Sequence, residues 1–343
     1  MSATTTVLML MGGRSSEHEV SLSSARGVMG ALDPQEFTLV PVVIGPGGIW
    51  TRGVRAVTLS ASDGKALLVD LHDGSETSID VVFPILHGPF GEDGTIQGLC
   101  EMVGAPYVGA GVAASAIGMD KALFKLIARQ HGLRVADAVM VTPTTWDVDG
   151  PALHAAIDAM GYPVFVKPAR LGSSVGISRV TAPDALDHAV ALALAYDEKV
   201  LVEEAISGRE VEVGILDDGE MIVSPPGQIR YAAEWYDYET KYEAGRAELE
   251  IPAILPDEVT HRLQDVARIA FECIGCEGMG RIDCFVTDAG EVVVSELNTI
   301  PGFTPTSAYP SLMAAAGVPY PQLVGRLVHA ALARAERERT LRR

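Results

Sequence analysis

The stretch VFVKPARLGSSVG, residues 164–176, decides how this chain folds. It opens as a short apolar run fit for a buried strand and ends that run in Lys167 and Pro168. It then passes into Gly172, Ser173, Ser174, Val175 and Gly176. A glycine- and serine-rich loop after an apolar strand suits an anion, because glycine lets backbone N–H groups approach closely. The spacing is neither G-x-x-x-x-G-K-[ST] nor G-x-G-x-x-G, so neither of the two familiar phosphate loops is present. Residues 177–180 form a further run that can pair back on the first. The loop therefore reads as a flap between two antiparallel strands, folded over a nucleotide.

Working outward, residues 120–131 predict a helix and 138–142 a strand, with a helix over 151–160 leading into the flap strand. A helix to about residue 196 follows the flap, which makes a small α+β unit. Toward the N-terminus, a strand at 7–11 runs into Gly12-Gly13 and a helix over 21–32, a nucleotide-fold opening. Further strands at 39–44 and 79–86 alternate with helices, which predicts a parallel sheet for about the first 115 residues; 45–80 is less regular and carries short extra strands. Beyond the flap unit lie a strand at 200–206, a hairpin turning at Asp218-Gly219, a second hairpin turning at 288–290, and two closing helices. No internal repeat is visible. The reading gives three domains, 1–115, 116–200 and 201–343.

The 343 residues carry a formal net charge of −19. That argues against nucleic acid and anionic membrane surfaces, both of which need a basic footprint. The start MSATTTVLMLMGG lacks the basic region of a signal peptide, and no run approaches a membrane span, so a cytoplasmic enzyme is expected. Of four cysteines, Cys273 and Cys276 form a C-x-x-C near a helix end rather than at a helix start, and all four read as plain thiols.

In GRIDCFVTDAGEVVVSELN, residues 280–298, alternation puts Arg281 and Asp283 on one face and Glu296 and Asn298 on one face. If the hairpin closes as written, Asp283, Glu296 and Asn298 meet. These are three hard oxygen donors, the set that holds Mg2+ with substrate phosphates completing the shell. Gly302 follows at once and can offer its backbone N–H closely. With the permanent cation Arg281 it suits a developing oxyanion. Lys167 at the strand end and Lys121 at a helix start are the local cations that an acidic protein needs to hold phosphate.

Seven motifs in order resemble the D-alanine–D-alanine ligases of the ATP-grasp superfamily: GGRSSEHEVSLSSA (12–25), HGPFGEDGTIQG (87–98), MDK (119–121), VKPARLGSSVG (166–176), YDYETKY (236–242), GRIDCF (280–285) and ELNTIPGFTPTS (296–307). The resemblance spans residues 7–328. It implies an ATP-grasp fold of mixed α/β and α+β class, with an N-terminal Rossmann-like (pre-ATP-grasp) domain. By resemblance, Lys121, Lys167 and Lys241 contact ATP phosphates. Glu203 and Glu210 hold adenine and ribose, and the backbone of Glu204, Ala205 and Ile206 lies at the adenine edge. Asp283, Glu296 and Asn298 bind magnesium, two ions with Mn2+ as a possible substitute. Glu19 anchors the ammonium of the first D-alanine and forms a triad with Ser173 and Tyr242 that locks the flap. His87 lies near that D-alanine's carboxylate, Arg281 and Gly302 form the oxyanion site, and Ser307 with Ala308 holds the second carboxylate.

The implied reaction is attack of one D-alanine carboxylate on the γ-phosphate of ATP, then attack of a second D-alanine's amine on the acyl phosphate, for peptidoglycan synthesis. A homodimer is expected by resemblance. Ala205 and Ala308 are smaller than the residues many members carry. The alternatives are a D-serine or D-lactate ligase, another ATP-grasp amino-acid ligase, and a catalytically dead nucleotide-binding regulator. The tyrosine-bearing YDYETKY favours D-alanine, and the retained metal and phosphate residues oppose the regulator.

Overall fold

The computed structural model describes residues 4–231 and 247–341, which form three sheets. The first contains β1 (Thr5–Gly12), β2 (Phe37–Ile44), β3 (Trp50–Arg52), β4 (Arg55–Ser62), β5 (Lys65–Asp70), β6 (Glu76–Ile79) and β7 (Val81–Ile85), in the order β6-β5-β4-β3-β2-β1-β7. Val7, Leu8, Met9 and Leu10 of β1 are wholly buried, as in a parallel strand covered on both faces. Only β2, β1 and β7 run parallel, however, and β3 to β6 are antiparallel. The parallel part is β2, β1 and β7, and the antiparallel strands are the short extra ones expected within 45–80. Asp63 and Gly64 both take positive φ in the two-residue turn that joins β4 to β5 as a hairpin and leaves no room for a crossover helix. Helix α1 (His18–Ala31) covers one side of the sheet, and α2 (Thr95–Met102) follows β7.

The second sheet has the order β10-β9-β11-β8, from β8 (Ala138–Val141), β9 (Val164–Pro168), β10 (Ser178–Val180) and β11 (Val200–Glu204). As expected, β10 pairs back antiparallel on β9, so the segment between them is a flap. Ser173, Ser174 and Gly176 in it all have positive φ. Helices α3 (Val112–Met119) and α4 (Lys121–Gln130) precede this sheet, and α5 (Pro143–Met160) and α6 (Leu186–Leu194) accompany it. Helix α5 starts at Pro143, eight residues before the expected start at 151. Thr142 caps it reciprocally with Thr145, and Pro151, which reads in sequence as a start, is tolerated inside.

The third sheet contains β12 (Arg209–Asp217), β13 (Met221–Val223), β14 (Gly227–Tyr231), β15 (Ala247–Glu250), β16 (Gly278–Val286) and β17 (Val292–Asn298). Helix α7 (Asp257–Glu272) packs on it, joined by α3 and α4: Ala114, Phe124 and Ala128 share one core with Val213, Ile282 and Val294. The closing helices α8 (Ala308–Ala315) and α9 (Tyr320–Arg339) reach back to the first sheet, where Leu323, Leu327 and Val328 join Val7, Met9 and Phe83. The first and third sheets therefore share a core, while the flap sheet keeps its own around Ile157, Val166 and Val190. No described helix is long and apolar enough to cross a membrane. All four cysteines are free thiols.

Candidate active site

Two cavities, of about 680 Å³ and 650 Å³, meet under the flap. Lys121, Gly172, Ser173, Glu212 and Glu296 line both. The first lies between the second and third sheets, the second between the third sheet and the loops after β1 and β7.

In the first cavity Asp120 caps α4, accepting from the Ala122 and Leu123 amides at 3.1 Å each, and so sets Lys121 at the mouth of the helix. Lys121 is 8% exposed; its Nζ donates to the Leu171 carbonyl at 2.7 Å and pairs with Glu296 Oε2 at 3.1 Å. Lys167 pairs with Glu203 Oε2 at 2.5 Å. Lys125, which the sequence reading missed, pairs with the other Glu203 oxygen at 3.3 Å and donates to the Ser295 carbonyl at 3.0 Å. Burial opposes ionisation of Glu203, but Lys167 and Lys125 outweigh it and hold its pKa below the usual carboxylate range. Burial pushes the Lys125 pKa down, against the pull of Glu203. Lys125 stands one helical turn from Lys121, and that spacing is the signal that could have found it.

Glu203 is thus seated between two lysines. Glu204, Ile206 and Glu210 line the same cavity, whereas Ala205 between them is not part of the lining. The Glu204 and Ala205 amides donate within the protein, to the Asp137 and Pro163 carbonyls.

The β16–β17 hairpin closes with Asp283 opposite Glu296 and Arg281 opposite Asn298. Asn298 Nδ2 donates to Asp283 Oδ2 at 3.0 Å. Arg281, 8% exposed, grips Asp283 with Nε at 2.7 Å from Oδ1 and Nη2 at 2.8 Å from Oδ2. Burial opposes its charge, but Asp283 and Glu212 outweigh that and hold its pKa well above the ordinary value. Among the described residues no three His, Cys, Asp or Glu converge on one point. The set here is two carboxylates and an amide, hard oxygen donors that suit Mg2+ beside phosphate.

In the second cavity the structure corrects one pairing. Ser173 Oγ donates to Glu17 Oε1, not to Glu19. Glu17 occupies the N-cap position of α1, and its carboxylate makes no cap hydrogen bond, so it reaches across to the flap. Glu19 lies two residues on, in the first turn, where the helix carries its side chain elsewhere; it is exposed and only lines the cavity. Two glycines make room for the Glu17 carboxylate. A Cβ on Gly88 would stand 2.6 Å from Oε2, and one on Gly172 would stand 3.3 Å away. Tyr242 and Lys241, expected at this site, lie outside the described residues.

His87 is buried, with Nδ1 donating to the Ile300 carbonyl at 2.9 Å and Nε2 accepting from Ser24 Oγ at 3.0 Å. The carbonyl acceptor fixes the proton on Nδ1, and burial keeps the ring's pKa below its ordinary value. Glu92, absent from the sequence reading, accepts from the Gly88 amide at 2.8 Å and from the Ile300 amide at 3.2 Å. Its enclosure and the nearby Glu17 push its pKa up to about 8. His87 and Glu92 together hold Ile300 from both sides, two residues before Gly302. Ser307 Oγ accepts from the Thr304 amide at 3.1 Å, next to Gly302. Ser307 and Ala308 line the cavity where α8 begins. The arrangement can hold a polyphosphate in one cavity and a small carboxylate in the other, with Arg281, Lys121 and the acids at their junction.

Residues 6–110 match the family model described as the D-Ala D-Ala ligase N-terminus, and residues 127–329 match that of the C-terminus. The chain is 45% identical to the D-alanine–D-alanine ligase of Geobacillus thermodenitrificans, with 96% of each chain covered. It is 46% identical to that of Deinococcus radiodurans, over 95% of this chain and 98% of the relative. Among solved structures, the VanG D-Ala:D-Ser ligase from Enterococcus faecalis superposes with a TM-score of 0.86 at 33% identity, covering 96% of this chain and 100% of that one. The D-alanine–D-alanine ligase from Coxiella burnetii does so with 0.85 at 33% identity, covering 98% and 96%.

Proposed function

Because the chain belongs to the D-alanine–D-alanine ligase family, we propose that it joins two D-alanines into D-alanyl-D-alanine, coupled to cleavage of ATP to ADP and phosphate, for peptidoglycan precursor synthesis. The observation that carries this reading is the junction of the two cavities: Lys121, Ser173 and Glu296 line both, so a phosphoryl donor in one and a carboxylate in the other would meet there.

ATP occupies the first cavity. Lys121 and Lys167 offset the phosphate charge, with Lys241 on the phosphate side. Glu203, the segment from Glu204 to Ile206, and Glu210 receive the nucleoside. Asp283, Glu296 and Asn298 would hold Mg2+, in one or two ions or with Mn2+ in its place, and the bound metal offsets negative charge on the transferring phosphoryl group. The first D-alanine sits in the second cavity. Glu17, rather than Glu19, anchors its ammonium, and Ser173 and Tyr242 close the flap over it. His87 fixes the Ile300 loop beside its carboxylate. That carboxylate attacks the γ-phosphorus, ADP leaves, and a D-alanyl phosphate forms. Ser307, with Ala308 beside it, holds the carboxylate of the second D-alanine. Its amine attacks the acyl carbon, Arg281 and the Gly302 amide stabilise the oxyanion, and phosphate leaves. The closed flap keeps water from the acyl phosphate.

The chain divides into units near 1–115, 116–200 and 201–343, with α3 and α4 contributed to the core of the third sheet. It acts in the cytoplasm as a homodimer. Phosphate release from ATP and Mg2+ tests the reading. It should be brisk with D-alanine alone and absent with L-alanine, and D-serine or D-lactate should fail as sole substrate. Release with D-serine but none with D-alanine would overturn it, and no release with any of them would favour a regulator.

A further inference from the structure

We propose that Glu212 is the second anchor of Arg281, the carboxylate that holds the guanidinium when Asp283 turns to the metal. The inference rests on the metal assignment made above and concerns a residue that assignment does not use.

Strand register puts Glu212 of β12 opposite Asp283 of β16, which is opposite Glu296 of β17. Directly opposed side chains share a face, so three carboxylates stand in a row across three strands. Arg281 lies on the same face, two residues from Asp283. Its Nε is 2.7 Å from Asp283 Oδ1 and 3.2 Å from Glu212 Oε1, so one nitrogen lies within ion-pair distance of both acids while its hydrogen bond goes to Asp283. Glu212 is 4% exposed and lines both cavities at their junction.

Asp283 is claimed twice. Arg281 takes both of its oxygens, and the same oxygens belong to the donor set for Mg2+. A carboxylate that grips a guanidinium at both oxygens cannot present them freely to a cation, and a buried guanidinium left without an acid is strongly disfavoured. Glu212 resolves the conflict. It keeps Arg281 charge-paired and in place while Asp283 rotates away. Without it, Arg281 competes with the metal for Asp283. Glu212 is thus a positioning residue that acts through Arg281.

The test is a double-mutant cycle read by Mn2+ binding, measured by electron paramagnetic resonance in the presence of ADP, so that no turnover is involved. The set is the unchanged protein, Glu212→Gln, Arg281→Met and the double variant. Glu212→Gln should weaken Mn2+ binding by about tenfold, the scale of an outer-shell partner. In the Arg281→Met background the same change should alter affinity by less than about twofold, since Arg281 no longer competes. Equal losses in both backgrounds would mean that Glu212 acts on the metal directly, and no loss in either would mean that it has no such role; each overturns the proposal. If Glu212→Gln does not fold, Glu212→Asp, which withdraws the carboxylate by one methylene, runs the same cycle with the same criterion. Asp283→Asn separates the two levels. If it leaves Mn2+ affinity unchanged, the metal assignment falls and this proposal with it. If it weakens Mn2+ binding while the cycle shows no coupling, only the role of Glu212 falls.

Discussion

Glu17 ends the loop after β1, and Ser173 sits at the tip of the flap, 156 residues later in the chain. A hydroxyl donating to an ionised carboxylate is a charge-assisted bond, and here it ties the lid to the wall of the second cavity. Glu17→Gln should lower kcat/KM for D-alanine by roughly 10- to 100-fold, while Glu19→Gln should change it by less than about threefold. Steady-state kinetics of the two variants check this, and a larger effect at Glu19 would reverse the assignment. The sequence shows both acids in SSEHE and cannot by itself say which one faces the flap. That choice depends on where α1 begins, and a helix start carries an uncertainty of a residue or two. The same limit applies to Lys125 and Glu92. Their roles come from Glu203 and Ile300, which are remote in sequence: the one-turn spacing from Lys121 marks the helix face of Lys125 without saying what it meets, and nothing local marks Glu92.

At the scale of elements, α4 and the β16–β17 hairpin present the charges. Asp120 caps α4 and also takes the Lys199 Nζ at 2.5 Å, which links the helix start to β11. Asp120→Ala removes both. It should cost about 1–2 kcal/mol of stability by denaturant unfolding and raise the KM for ATP, because Lys121 is the next residue. Asp120→Asn, which keeps the cap, should recover most of the stability; equal loss in both variants would contradict the capping account. Strand alternation made each strand's face legible, but not the pairing: the register set by the turn would put Asp283 opposite Ser295, and a β-bulge between Asp283 and Cys284 shifts it by one so that Asp283 meets Glu296. The start of α5 was not legible, because Pro151 looks like a first-turn proline, and the reciprocal cap at Thr142 lies nine residues upstream of the expected start.

At the scale of the whole molecule, the first and third sheets are joined by one core, while the flap sheet has its own. Such a layout lets the flap unit move against a fixed floor, which suits a site that must open for nucleotide and close over a water-sensitive acyl phosphate. The mixed character of the first sheet does not alter this, since the second cavity is lined from this side by α1 and the loops after β1 and β7, and not by β3 to β6. In the proposed reaction the carboxylate of one D-alanine takes up the γ-phosphoryl group, and the amine of another then attacks the acyl carbon and displaces phosphate. Labelling D-alanine with ¹⁸O in both carboxylate oxygens and weighing the released phosphate by mass spectrometry tests it most directly. Each phosphate should carry one ¹⁸O for every dipeptide formed, because the bond to the former carboxylate oxygen breaks on the carbon side. Phosphate carrying no label beside a labelled dipeptide would contradict it.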